Sequence, residues 1–156
     1  LNYLGQVASL TGEHGEAMAF LRQSFDLSQE TGDRHSMANC RQQLGNVACR
    51  IGAYPQAMAH FAEALSLAME IRAFQVALEI LIGVAGLLNH QGKKARALET
   101  LAFVAHQSAG SQERKNRALA LLPACEAGLS PQVVRKCKER GQNQILAEIV
   151  ATVWDE

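Results

Sequence analysis

The sequence contains few of the residues that interrupt helices or favour strands. Among 156 residues there are only three prolines, and aromatic residues make up 5%. Proline breaks helices, whereas aromatic and β-branched residues favour strands. Alanine, leucine and glutamine, which are abundant here, favour helix. The composition therefore predicts an all-α fold and argues against a sheet.

The sequence also has no excess of charge of either sign. Fifteen basic residues balance fifteen acidic ones, so the formal net charge is +0. A general binder of nucleic acid or of a membrane surface needs a surplus of Lys and Arg. No apolar run approaches the roughly 18 residues that would span a bilayer. We therefore expect neither direct nucleic-acid binding nor a membrane partner.

Motifs for catalysis and metal binding are missing as well. The four cysteines form no CxxC pair, and none of the five histidines stands at a ligand interval from a cysteine or a carboxylate. The motifs GxGxxG, GxxxxGK[ST], HExxH and GxSxG are absent. We expect no enzyme activity, no metal and no cofactor. Unpaired thiols of this kind are typical of a reducing compartment, which predicts a cytoplasmic protein.

The feature that is present is an internal repeat. Gly12, Gly52 and Gly92 follow one another at intervals of 40 residues. Small residues recur five positions after and seven positions before these glycines, at Ala17, Ala57 and Ala97 and at Gly5, Gly45 and Ala85. A fixed period of this size predicts a solenoid of stacked helical units.

The residue types in the central copy fit a pair of antiparallel helices, predicted over 34–51 and 54–71. Two helices approach closely only where side chains are small, so Gly45 and Ala57 are expected at the contact, with Phe61 filling the space beside them. Gly52 suits the left-handed residue that ends a helix. Pro55 suits the first turn of the next one.

These residues resemble a tetratricopeptide repeat. The pattern of that family is matched in the central copy by Leu44-Gly45, Ala48, Ala57, Phe61 and Ala64, and in the first by Leu4-Gly5, Ala8, Ala17 and Leu21. The resemblance implies a right-handed α-solenoid of antiparallel helix pairs, with about three repeats at 1–32, 33–72 and 73–110. The family's early Trp and closing Pro are absent. The 40-residue period exceeds the usual ~34, and resembles the longer-armed variant of bacterial signalling ATPases.

The period fails after Ala109-Gly110-Ser111. Short helices are predicted over 112–122, ended by Pro123, over 131–140, ended by Gly141, and over 143–153. Ser130 is the expected N-cap of the second of these helices. Residues 111–156 are thus expected to cap the last repeat, and they resemble the closing tail of repeat sensors in STAND/LuxR-type signal-transduction ATPases. The chain as a whole is expected to be one domain of a larger protein.

The resemblance further implies a concave groove lined by the first helix of each repeat. The candidate groove residues are Asn2 and Gln6 in the first copy, Asn39, Gln42, Asn46 and Arg50 in the second, and Glu79 and Asn89 in the third. Amides both donate and accept hydrogen bonds, which would suit a protein or peptide backbone or a small polar ligand. The alternative is that these are ordinary surface amides.

Two functions remain open at this point. The first is a non-catalytic sensor or scaffold module of a bacterial signalling ATPase or transcriptional regulator. The second is a stand-alone structural adaptor that self-associates through exposed repeat ends. Lys93-Lys94, at the start of a predicted helix, also allow two interpretations. They form either a solvated turn, which is favoured, or an anion-binding corner.

Overall fold

The computed structural model describes residues 13–107 and 111–155. Within those residues there are eight helices and no strand, so the predicted all-α, tetratricopeptide-like helical repeat is confirmed. The helices are α1 (His14–Thr31), α2 (Arg34–Arg50), α3 (Tyr54–Glu70), α4 (Phe74–His90), α5 (Lys94–Gln107), α6 (Gln112–Glu126), α7 (Pro131–Asn143) and α8 (Leu146–Thr152).

The first five helices follow a shorter period than the sequence shows. Each begins 20 residues after the one before, and the same left-handed turn separates them, with φ of 71° at Gly32, 76° at Gly52 and 80° at Gly92. The fourth turn places Arg72 at φ 55°. The next amide bonds back to the preceding helix each time, as in Ala73 N–H to the Ala68 carbonyl at 2.8 Å. The 40-residue repeat therefore consists of two equal helix-and-turn units.

The first helix of the central repeat begins with a side-chain cap. The Ser36 backbone N–H donates to Asp33 Oδ1 at 3.1 Å, and the Ser36 hydroxyl donates to Oδ2 at 2.6 Å. These hydrogen bonds hold the pKa of Asp33 below its ordinary value. The cap satisfies a backbone donor that would otherwise lack a partner at the helix end.

The chain divides into two compact units, Leu1–Gly83 and Val84–Glu156, and the division falls inside α4. The predicted boundaries at 32, 72 and 110 lie elsewhere and stay a prediction. None of the helices in the described ranges is long and apolar enough to cross a membrane.

In the first unit, Phe61 packs against two glycines. Its side chain is 0% exposed. A Cβ placed on Gly45 of α2 or on Gly83 of α4 would lie 2.7 Å from the same edge of this ring. Carbon atoms in contact are normally 3.5–4.0 Å apart, so only glycine lets both helices come this close to Phe61. The small residue predicted at Gly45 is thus explained by a ring from the next helix.

Arg41 joins α2 to the helices on both sides of it. Its guanidinium carbon lies 4.2 Å from the centroid of the Phe25 ring on α1. On the other side, Nε lies 2.7 Å from Glu63 Oε2, and Nη1 lies 3.2 Å from His60 Nδ1. Burial, aided by the charge of Arg41, lowers the pKa of His60. One cation on α2 therefore contacts both neighbouring helices, α1 and α3.

In the second unit, α5 packs against α6 and α7. The prediction that Pro123 ends a helix is wrong, because α6 continues to Glu126. Pro123 is exposed, and so is Leu119, whose carbonyl loses its helical donor there. Water can hydrate that carbonyl, which explains how the helix tolerates the proline. Further along, Lys138 Nζ lies 2.6 Å from Glu126 Oε1 and links α7 to α6.

The prediction that Gly141 ends a helix is also wrong. Gly141 is buried within α7, which runs to Asn143. A Cβ at this position would collide with the carbonyl oxygen of Glu99 and lie 3.0 Å from the Ala102 Cβ on α5. Gly141 therefore lies where α7 crosses α5. Glycine is required there because it has no side chain, and not because the backbone is left-handed.

Candidate ligand-binding surface

One face of α2 carries a row of polar side chains that are only partly covered. The row consists of His35, Asn39, Gln43, Asn46 and Arg50, at intervals of three or four residues. Such intervals place side chains on one face of a helix. The predicted residues Asn39 and Asn46 are half-buried in this row, and Arg50 at its end is exposed.

Gln42 does not belong to this row. Its side chain is buried, with 8% exposure, so it presents almost no surface to a ligand. Its neighbour Gln43, which the sequence reasoning missed, is half-buried in the row between Asn39 and Asn46. Gln43 follows Asn39 by four residues and precedes Asn46 by three, and this helical spacing could have identified it from the sequence. The sequence does not say by itself which of two adjacent glutamines faces outward.

The remaining candidates are spread along the chain. Glu79 is half-buried on α4, 40 residues after Asn39 and thus at the equivalent position of the next repeat. Asn89 lies in the last turn of α4, within the second unit, and its Oδ1 is buried without a hydrogen bond from any described residue. Asn2 and Gln6 lie outside the described residues. The whole site assignment stays a prediction.

Within the first unit, Asn46 of α2 lies next to Gly83 of α4. A Cβ at Gly83 would lie 3.1 Å from Asn46 Oδ1, which shows how close this amide comes to the bare backbone of α4. We call Asn39, Gln43 and Asn46 the amide surface. On it, Asn39 Nδ2 lies 3.2 Å from His35 Nδ1. The three amides supply both donors and acceptors, and Gly83 presents backbone without a side chain next to Asn46.

The described residues offer little for nucleophilic or metal chemistry. Cys40, Cys125 and Cys137 are buried, and Cys49 is half-buried. Burial raises the pKa of all four thiols, which keeps them protonated and weakly nucleophilic near neutral pH. Residues 13–107 and 111–155 contain no group of three or more His, Cys, Asp or Glu side chains that could hold a metal ion.

Comparison with known families supports the interpretation of the first unit. Residues 1–70 match the family model described as tetratricopeptide repeat. This match supports a tetratricopeptide-repeat domain that includes α1, α2 and α3. Repeats of this family are generally non-enzymatic and mediate protein–protein interactions. Searches of curated proteins and of solved structures found no match to the chain.

Proposed function

We propose that this protein is a non-catalytic binding module that captures a protein or peptide segment on its amide surface. The observation that carries the proposal is the row of three amides on α2, of which Asn46 lies beside the bare backbone at Gly83. A peptide in extended conformation has unpaired N–H and C=O groups along its length, and each side-chain amide can pair with one of either kind.

Binding of this kind depends on half-buried amides more than on charge. Hydrogen bonds between neutral groups contribute about 0.5–1.5 kcal/mol each. Three such amides therefore contribute a few kcal/mol, and packing on the surface has to supply the rest. We expect a modest affinity for one short peptide and a stronger one for a partner that covers more of the module.

The proposal is tested with peptides selected from a phage-displayed random library on the wild-type protein. Affinity of the selected peptide is then measured by fluorescence polarisation for Gln43→Arg and for the control Gln29→Arg. Gln43 belongs to the amide surface, whereas Gln29 is an exposed residue of α1 outside it. We expect about a tenfold loss or more for Gln43→Arg, since removing paired polar groups costs about 1–3 kcal/mol, and no change for the control.

Equal affinities of the two variants would show that the peptide binds elsewhere. A library that yields no specific peptide against the folded protein would contradict the proposal as a whole. Both variants place the same charge on a solvent-accessible helix position. A difference between them therefore reports the site and not the added arginine.

The cellular role we propose is that of a sensor or scaffold in a bacterial signalling ATPase or transcriptional regulator, in the cytoplasm. Its support is the 40-residue period followed by short closing helices. The reading frame that encodes this segment is then expected to encode a nucleotide-binding domain as well. In such a protein, the selected peptide should change the ATPase rate, and Gln43→Arg should abolish that change. A reading frame without a nucleotide-binding domain would contradict this role.

A second candidate is a structural adaptor that self-associates. The observation that favours it is the exposure of large apolar side chains in the first unit, with Leu27 53% exposed and Phe74 49% exposed. Sedimentation velocity over a range of concentrations distinguishes the candidates. A monomer at all concentrations excludes the adaptor, whereas a dimer that Leu27→Ser dissociates supports it.

A further inference from the structure

The second unit contains a charged cavity at the start of α5. Its volume is about 410 Å³. The charged side chains that line it are Lys93, Lys94, Arg96, Arg140, Glu99 and Asp155. They come from the turn before α5, from α5 itself, from α7 and from the segment after α8. Four separate segments of the chain therefore bring their charges to one cavity.

A buried carboxylate fixes the two arginines of this cavity. The side chain of Glu99 is 5% exposed. Its Oε2 lies 3.2 Å from Arg96 Nη1, and its Oε1 lies 3.1 Å from Arg140 Nη1. A guanidinium has five N–H donors, so one carboxylate with two oxygens leaves most of the ten donors without an anionic partner. Glu99 thus holds two guanidiniums in place without saturating them.

The two lysines of the cavity stand at the start of α5. Lys94 Nζ donates to the Ala127 carbonyl at 2.5 Å, which ties the start of α5 to the turn before α7. Lys93 precedes α5 and is half-buried at the cavity. The four cations and two carboxylates leave an excess of two positive charges. A phosphate monoester carries about 1.5 to 2 negative charges near neutral pH, which matches this excess.

We propose that this cavity binds the phosphate group of a small organic phosphate. The planar guanidiniums of Arg96 and Arg140 present paired donors that fit two phosphate oxygens, and Lys93 adds a point charge. The cavity lies within the roughly 300–1,000 Å³ range of small-molecule sites, so it holds more than a bare phosphate ion. Ala95 and Leu129 line it as well and offer the organic part an apolar contact. This site goes beyond the peptide-binding function proposed above.

Isothermal titration calorimetry of the whole chain tests the assignment, with glycerol phosphate, inorganic phosphate and acetate as probes at physiological salt. We expect glycerol phosphate to bind with a Kd of about 1 mM or tighter, inorganic phosphate more weakly, and acetate not at all. Lys93→Gln and Arg140→Gln should each weaken glycerol phosphate binding by about tenfold. Lys136→Gln is the control, because Lys136 is an exposed residue of α7 that does not line the cavity.

Three results would overturn the proposal. They are the absence of saturable heat with glycerol phosphate, equal binding by acetate, and wild-type affinity in Lys93→Gln. Inorganic phosphate that binds as tightly as glycerol phosphate would overturn the assignment to an organic phosphate. Arg140→Gln removes one of the ion pairs of Glu99 and can disturb folding. Lys93 takes no part in those pairs, so its variant keeps the test valid.

Discussion

The contact between Phe61 and α4 makes a sharp prediction about Gly83. Replacing Gly83 by Ala puts a Cβ 2.7 Å from Phe61 Cζ and 2.8 Å from Cε1. Ordinary carbon contacts are about 3.5–4.0 Å, so the atoms are about 1 Å too close. The Phe61 ring is 0% exposed, and the same edge already faces Gly45. The ring is therefore confined between the backbones at Gly45 and Gly83.

The expected change in stability follows from two opposing effects. Alanine is better than glycine in a helix interior by about 1 kcal/mol. Overpacking of a closed core costs about 1–3 kcal/mol. A contact that is about 1 Å too short belongs in the upper part of that range. Gly83→Ala should therefore lower the free energy of unfolding by about 1–2 kcal/mol. For a chain of this size, about 2–4 °C per kcal/mol predicts a fall in Tm of about 5 °C.

Gly86→Ala is a matched control in the same helix. Gly86 is exposed, and a Cβ placed there meets no atom of the described residues within 4 Å. This variant gains the helix preference without the clash, so its Tm should rise by about 2–4 °C. The two substitutions are chemically identical and three residues apart. Tm changes of opposite sign would therefore separate the effect of the Phe61 contact from the intrinsic helix preference of alanine.

Thermal and urea unfolding followed by circular dichroism measure both changes. A double-mutant cycle with Phe61→Leu completes the experiment. Leucine lacks the ring edge that contacts Gly83, so Gly83→Ala should cost at least about 1 kcal/mol less in that background. If Gly83→Ala is as stable as the wild type, or if its cost is the same in the Phe61→Leu background as in the wild type, the close packing described for this ring is refuted.

Three further predictions use the same unfolding measurements. Arg72→Gly should stabilise the protein by about 0.5–1 kcal/mol. A left-handed residue other than glycine costs about 1–2 kcal/mol, whereas the flexibility of glycine in the unfolded chain costs about 0.5–1 kcal/mol. A loss of stability would contradict the strain assigned to Arg72 at φ 55°. Gly141→Ala should destabilise by about 1–2 kcal/mol, because the collision of its Cβ with the Glu99 carbonyl outweighs the helix preference of alanine. A neutral effect would refute the close contact between α7 and α5 at this residue. Burial and Arg41 hold the pKa of His60 below its ordinary 6.5. The unfolded chain then binds the proton more readily, so stability falls as the pH drops below that value. His60→Gln should weaken this dependence from about pH 6.5 downward, and an unchanged pH profile would contradict it.

Much of the fold follows from short-range rules in the sequence. The recurring glycines mark the turns, because a left-handed residue is needed wherever a helix ends this way. Asp33 and Ser130 cap helices through bonds to residues only three positions ahead. The 20-residue regularity remained hidden because Arg72 occupies the position where the other three turns have glycine. A search for glycine therefore misses the fourth turn, where Arg72 adopts the left-handed conformation.

The candidate surface depends on which way each helix is rotated. The sequence places Asn39 and Asn46 on one face, and the structure agrees that they share a row. It does not decide between Gln42 and Gln43, which lie about 100° apart around the helix axis. That choice depends on how α2 packs against α1 and α3, which buries Gln42. The rotation of α2 therefore decides that Gln43, and not Gln42, lies on the candidate surface.

The sequence alone determined the helical class, the repeat and most helix ends, because these depend on contacts within a few residues along the chain. Only the tertiary structure decided what the internal glycines do. Gly83 contacts a ring that lies 22 positions earlier in the chain, and Gly141 contacts the carbonyl of Glu99, 42 positions earlier. The charged cavity was decided in the same way, since Lys93 and Arg140 meet only when α7 crosses α5. Rules that relate residues a few positions apart cannot predict these contacts, because they arise from the packing of helices far apart in the sequence.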